Sequence, residues 1–205
     1  MKFIKCHVNG QNLVISRDKF DFKQWEHSKS INYDQWIRIN GKGEMKFINK
    51  DGSKADNCFN GTMAAKYFYD DIKPVAPIVS AYKTREYMML EVKRPKDTGT
   101  YIDCGCKHQV SHNMALGDNP HINQTRVIGK VFHNKISIIT HERGVGKVLS
   151  CGSAAVATAE YLYNNGEFKG DVIKIESEGG YHMIRISPNY MEVSAIVKKV
   201  YKGEW

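Results

Sequence analysis

The chain has 205 residues, enough for one domain or two small ones with real cores. Hydrophobic residues make up 41% and charged residues 25%, an ordinary globular balance, and no run of 18 apolar residues is present to cross a membrane. The net charge is +8, but the lysines are scattered among acids, with no arginine-rich arm and no basic-aromatic motif. This pattern excludes a dedicated nucleic-acid binder and leaves a mildly basic surface suited to small anions.

The opening "MKFIKCHV" and "NLVIS" read as short strands. The basic start lacks an apolar stretch and a small-residue cleavage site, so no signal peptide is expected. "FDFKQWEHSKS", from Phe20, is an amphipathic stretch with the pattern of a short helix. "QWIRI" and "EMKFIN" flank "NGKG", which predicts a hairpin pairing residues 34–38 with 44–48. An alanine-rich helix begins near Asn60, "NGTMAAKYFYDD", just after Cys58. "YMMLEV", "RVIGKVF" and "KISIITH" are further strands, the last two forming a second hairpin, 127–132 with 135–140. A second alanine-rich helix begins near Gly152, "GSAAVATAEYLYNNG", and "NNG" is a helix-ending signal. "DVIKIES", "YHMIRIS" and "YMEVSAIVKKVYKG" close the chain as strands.

The order strands, glycine-bearing loop, cysteine, helix, strands occurs twice. Cys58 and Cys151 stand 93 residues apart, close to half the chain. Two similar halves are predicted, 1–98 with Cys58 and 99–205 with Cys151, meeting around "KRPKDTGTY", with the last strand free to return to the first half. The five cysteines are odd in number and fit no disulfide framework, which points to free thiols in a reducing, cytoplasmic setting.

Both cysteines sit where a helix starts. The first-turn N–H groups of a helix have no partners within it and make that end electropositive. A thiol there is expected to ionise more readily, and the small residues Asn60, Gly152 and Ser153 leave the N–H groups open to a carboxylate. A single such cysteine reads most simply as a buried core residue. Two in matching contexts point to chemistry.

The chain resembles the diaminopimelate epimerases, racemases and epimerases that use two cysteines and no cofactor. Their first motif, F-N-x-D-G-S, four residues, C-G-N-G, is similar to residues 48–61, "INKDGSKADNCFNG". Their second, E-R-G-x-G-E-T, two residues, C-G-S/T-G, is similar to residues 142–154, "ERGVGKVLSCGSA". "KCHVNGQNL", "NYDQW", "GCKH" and the closing "KGE" match weaker family elements in the same order. The resemblance implies an α+β fold of two pseudo-symmetric halves, each a curved antiparallel sheet or barrel wrapped around a central helix. It implies one thiolate that removes a Cα proton and one thiol that returns a proton from the opposite face. By the same resemblance His108 partners Cys58 and Glu142 partners Cys151. Substrate contacts carried over are Gln11, Gln35, Asn49, Phe59, Asn60, Arg143, Gly152, Ser153 and a residue in "NQTRV". An ungapped count gives that last role to Gln124, and a shorter hairpin gives it to Arg126. No pyridoxal phosphate and no metal is implied, and the resemblance is compatible with a homodimer.

The departures fall on substrate contacts. Gln11 replaces an asparagine, Cys106 replaces the asparagine of G-N-P-H, and Phe59 and Ala154 replace glycines. Polar groups left unmatched in a buried site lose their hydrogen bonds, which argues against meso-diaminopimelate. Another amino acid such as histidine, or a residue within a peptide, fits better. Diaminopimelate itself and a non-catalytic binder of amino acids or peptides are the alternatives. A competing reading takes Cys104, Cys106, His108 and His112 in "CGCKHQVSH" as zinc ligands, although the C-x-C spacing is not that of a zinc knuckle.

Overall fold

The computed structural model describes residues 2–17 and 29–204. Most of the amphipathic stretch that begins at Phe20 lies outside these residues. The first sheet holds β1 (Lys2–Val8), β2 (Gln11–Ser16), β3 (Gln35–Ile39), β4 (Met45–Asn49) and β5 (Lys54–Ala55), with the last strand, β17 (Val197–Glu204), added beside β1. Asn9 and Gly10 both have positive φ, 47° and 89°, as the tight β1–β2 turn requires. Trp36 faces Ile48 and Ile39 faces Met45 across the β3–β4 hairpin. The β2–β3 pair is parallel.

The second sheet runs β6 (Ile78–Lys83), β7 (Met88–Lys93), β16 (Tyr190–Ala195), β15 (Gly180–Ile186), β14 (Val172–Ser177), β12 (Lys135–Glu142), β11 (Asn123–Phe132), β10 (Lys107–Ser111), β9 (Ile102–Asp103) and β8 (Lys96–Asp97), with β13 (Gly146–Val148) on β12. Parallel β10–β11, antiparallel β11–β12 and the short β13 repeat the pattern of β2 to β5. The β11–β12 hairpin turns at His133 and Asn134, both with positive φ, and places Val127 opposite Ile138. By hydrogen bonding β6 and β7 belong to the second sheet, and by packing they cover the helix of the first half.

Each half wraps one buried helix, α1 (Phe59–Phe68) or α2 (Gly152–Asn164). Strands β1, β2, β6 and β7 pack on α1, and β9, β10, β14, β15 and β16 on α2. A helix buried all round is apolar or small on every face, which the alanine, glycine and threonine of both segments supply. Alanine lets strands approach closely from several sides at once. Glu160 is the exception on α2, and its carboxylate is held by the Arg94 guanidinium at 3.0 Å. Gly166, φ 72°, follows the end of α2. The architecture is α+β, two pseudo-symmetric halves of mostly antiparallel sheet around central helices.

Candidate active site

The alternation of β12 explains how a carboxylate comes to be buried. Ile136, Ile138, Thr140 and Glu142 share its inward row, so the acid sits at the end of an apolar line. It is 8% exposed. The residues after it turn through β13 into α2.

Cys58 and Cys151 are the N-cap residues of α1 and α2. Their backbones are nearly identical, φ −151°, ψ 117° and φ −146°, ψ 116°. Each sulfur accepts from an N–H of the helix's first turn, Cys58 from Gly61 at 3.1 Å and Cys151 from Ala154 at 3.4 Å. A thiol thus takes the capping place that serine or aspartate usually fills. The two helix starts abut. A β-carbon on Gly152 would lie 2.7 Å from Asn60 Oδ1 and 3.0 Å from Phe59 Cβ, so only glycine fits there.

Both cysteines line one cavity of about 440 Å³. Gln11, Gln35, Asn49, Phe59, Asn60, Glu142, Arg143, Gly152 and Ser153 line it too. The loops that carry the two motifs brace each other. Asn49 Nδ2 donates to the Arg143 carbonyl at 3.1 Å, and the Asp51 N–H donates to the Gly144 carbonyl at 3.2 Å. Gln35 Nε2 donates to Asn49 Oδ1 at 2.7 Å, while its own Oε1 is buried without a partner. That free acceptor suits a ligand N–H.

The Glu142 carboxylate is close enough to Cys151 for its charge to act on the thiol, and Gln11 Nε2 donates to that carboxylate at 3.3 Å. Burial pushes the Glu142 carboxyl up to about 7. Burial likewise pushes both thiols well above their ordinary value, with the Glu142 charge adding to it. The helix N–H groups at Cys58 and the Ser153 hydroxyl at Cys151 pull the other way and are outweighed. The readily ionised thiol expected from helix position alone is therefore not what the closed cavity provides. Desolvation outweighs the helix-start N–H groups.

The hydrogen-bond partners of His108 are groups other than Cys58. His108 is fully buried, and Nε2 lies 2.9 Å from Ser153 Oγ, 3.4 Å from Cys106 Sγ and 3.3 Å from Asn123 Nδ2. Ser153 Oγ is in turn 3.3 Å from Cys151 Sγ. The histidine reaches the second cysteine through a hydroxyl, because β10 runs beside β11 and under the start of α2. No hydrogen bond joins it to Cys58 among the described residues. Burial lowers its imidazole to about 3, so it is neutral.

Neither Gln124 nor Arg126 lines the cavity. Asn123 does, accepting from the Arg143 N–H at 2.8 Å. Strand period decides it, since Asn123, Thr125 and Val127 share the inward side of β11 and Gln124 and Arg126 the other. The signal was available in "NQTRV", where Thr125 and Val127 fix the inward parity. Cys106 also lines the cavity, with burial raising its thiol to about 12. The zinc reading does not hold its residues together. His112 pairs with Glu167 at 2.8 Å, and no group of three or more histidine, cysteine or acid side chains is placed to hold a metal among the described residues.

No family model matches the chain. It is 24% identical to the diaminopimelate epimerase of Methanopyrus kandleri over 98% of its own length and 84% of that protein's. With the end-to-end order of motifs and the paired N-cap cysteines, the likeness runs the length of the chain. The chain is similar to the diaminopimelate epimerases. The fold of this diaminopimelate-epimerase-like chain matches a predicted epimerase from Pseudomonas aeruginosa with a TM-score of 0.72, at 11% identity, covering 100% of this chain and 98% of that one. It matches a hydroxyproline epimerase from Agrobacterium vitis with a TM-score of 0.65, at 9% identity, covering 99% and 91%. Among the described residues no helix is long and apolar enough to cross a membrane.

Proposed function

We propose that the chain is an isomerase that inverts the Cα centre of an amino acid, free or within a peptide, without a cofactor. The observation that carries this reading is the pair of N-cap thiols, Cys58 and Cys151, lining one cavity with a carboxylate on the second. The substrate's α-carboxylate sits against the first-turn N–H groups of α1 and α2. Glu142 takes the Cys151 proton, and the thiolate removes the Cα proton from one face. The Cys58 thiol then returns a proton from the other face, and the roles exchange in reverse. The helix N–H groups and the exclusion of water stabilise the carbanionic intermediate.

The names of the similar proteins include diaminopimelate, proline and hydroxyproline as substrates. Diaminopimelate fits this cavity less well. The Gln11 amide is taken by Glu142 and Asn60 rather than free for a ligand, and Cys106 offers no amide. A different amino acid, histidine among the candidates, or a peptide residue is the reading preferred here. The test is incubation with the twenty L-amino acids, diaminopimelate and short peptides in D2O, followed by chiral chromatography and mass spectrometry. Deuterium at Cα with inversion is expected for at least one. Absence of exchange across the panel would make the chain a binder.

A further inference from the structure

A second histidine lies deep in the molecule. His182, fully buried on β15, shares the inward row with Ile184 and Ile186. Its Nε2 is 3.0 Å from Asn60 Oδ1. Asn60 Nδ2 donates to Gln11 Oε1 at 2.8 Å and to Ser150 Oγ at 3.3 Å. Gln11 Nε2 donates to the Glu142 carboxylate at 3.3 Å. The chain starts on a strand of the second half, crosses the start of α1 and the hairpin strand β2, and returns to the second half at Glu142.

Its direction is dictated from one end. An ionised carboxylate only accepts, so Gln11 must show it the NH₂ and turn its oxygen to Asn60. Asn60 must then answer with its own NH₂ and turn its oxygen to His182. The imidazole is left to donate from Nε2 with Nδ1 bare, and Nδ1 has no partner. We propose that His182 is a positioning residue for proton transfer, holding the Asn60 and Gln11 amides in the one orientation that favours the Glu142 carboxylate. The proposal rests on the reading of Glu142 as the base for Cys151.

Without a donor at 182 both amides are free to turn over. Gln11 would then face Glu142 with its oxygen, which favours the protonated acid and withdraws the base. The ionisable groups that face Glu142 are Cys151, Cys58, Cys106 and Asp34, and among the described residues none of them is hydrogen-bonded to His182. Burial alone keeps the His182 ring neutral.

Nitrogen NMR of the ¹⁵N-histidine-labelled protein near neutral pH should show His182 protonated at Nε2, and protonation at Nδ1 would overturn the proposal. The rate of Cys151 alkylation by iodoacetamide, read by peptide mass spectrometry against pH, needs no substrate. Its half-point should rise by about one pH unit in His182→Leu, and Cα exchange near pH 6 should fall about tenfold with KM within about twofold. His182→Gln, which keeps a donor at the Nε2 position, should restore both to within about twofold. Profiles in His182→Leu that superpose on the parent's, or that fall equally at every pH, refute the proposal. If the leucine variant does not fold, the tautomer and the glutamine variant's profile decide it. A missing substrate would sink the racemase reading while leaving the alkylation result to stand.

Discussion

Gly152 of one helix start lies so close to Asn60 of the other that a β-carbon at 152 would come within 2.7 Å of Asn60 Oδ1. Two electropositive helix ends are thereby pressed together, each with a cysteine cap, and the gap between them is the cavity. Asn60 is itself held by His182 and Gln11, so it has little room to yield. Gly152→Ala should therefore cost about 1–3 kcal/mol in urea unfolding and lower Cα exchange at least tenfold. Near-parental stability and activity would show that the helix ends are not in contact.

The two cysteines carry separable half-reactions. Cys58→Ser and Cys151→Ser should each lower racemisation by about 10²–10⁴-fold. Each should retain deuterium exchange from one enantiomer only, because a single face keeps its thiol. Loss of exchange from both enantiomers in either variant would mean that the thiols do not act on opposite faces.

Strand parity separates Asn123 from Arg126. Asn123→Ala should lower kcat/KM by at least about tenfold, since a half-buried hydrogen bond from the Arg143 N–H is lost with the contact. Arg126→Gln should leave it within about twofold, because that side chain does not line the cavity. The reverse order in steady-state kinetics would put the outer row of β11 in the site.

Glu142 couples activity to pH and to stability with opposite signs. Its folded value of about 7 lies above the ordinary 4.5, so the folded state keeps the proton longer. Its contribution to stability therefore falls as pH rises from about 4.5 to about 7 and stays lower above that, by about 3 kcal/mol. Activity rises over the same window as the base forms. Glu142→Gln should gain on the parent by about 3 kcal/mol between pH 4 and pH 8 while losing activity, as urea midpoints and exchange assays would record. Failure of the stability gap to widen would place the carboxylate in water.

The buried histidines act on the acid side. His108 and His182 are lowered from 6.5 to about 3 and about 4, so the unfolded chain binds protons that the folded one refuses. Their contribution is full above pH 6.5 and is lost as pH falls through those values. His182→Gln should shrink the fall in urea midpoint between pH 6.5 and pH 4, and an unchanged fall would show that the imidazole is already solvated.

Three thiols, Cys58, Cys106 and Cys151, line the same small space. Activity should decline in air and return with dithiothreitol. Complete indifference to reductant would show that the sulfurs are held apart.

The linear sequence was enough for most of the elements and for many of the residues that meet at the cavity. Short alternating segments, alanine-rich stretches and turn residues such as Asn40-Gly41 are local signals, and local physics fixes them. The cysteines before "FNG" and "GSA" were legible as helix caps because capping depends on a few adjacent residues. Tertiary structure alone decided three matters. Whether the thiols ionise depended on burial, which outweighs the helix N–H groups that sequence position reveals. The hydrogen-bond partner of His108 depended on β10 running beside β11, which gives it Ser153 instead of Cys58. His182 carried no motif at all, for its part arises where a strand of one half meets the helix start of the other, and a hydrogen bond across 122 residues of chain leaves no mark in any local pattern.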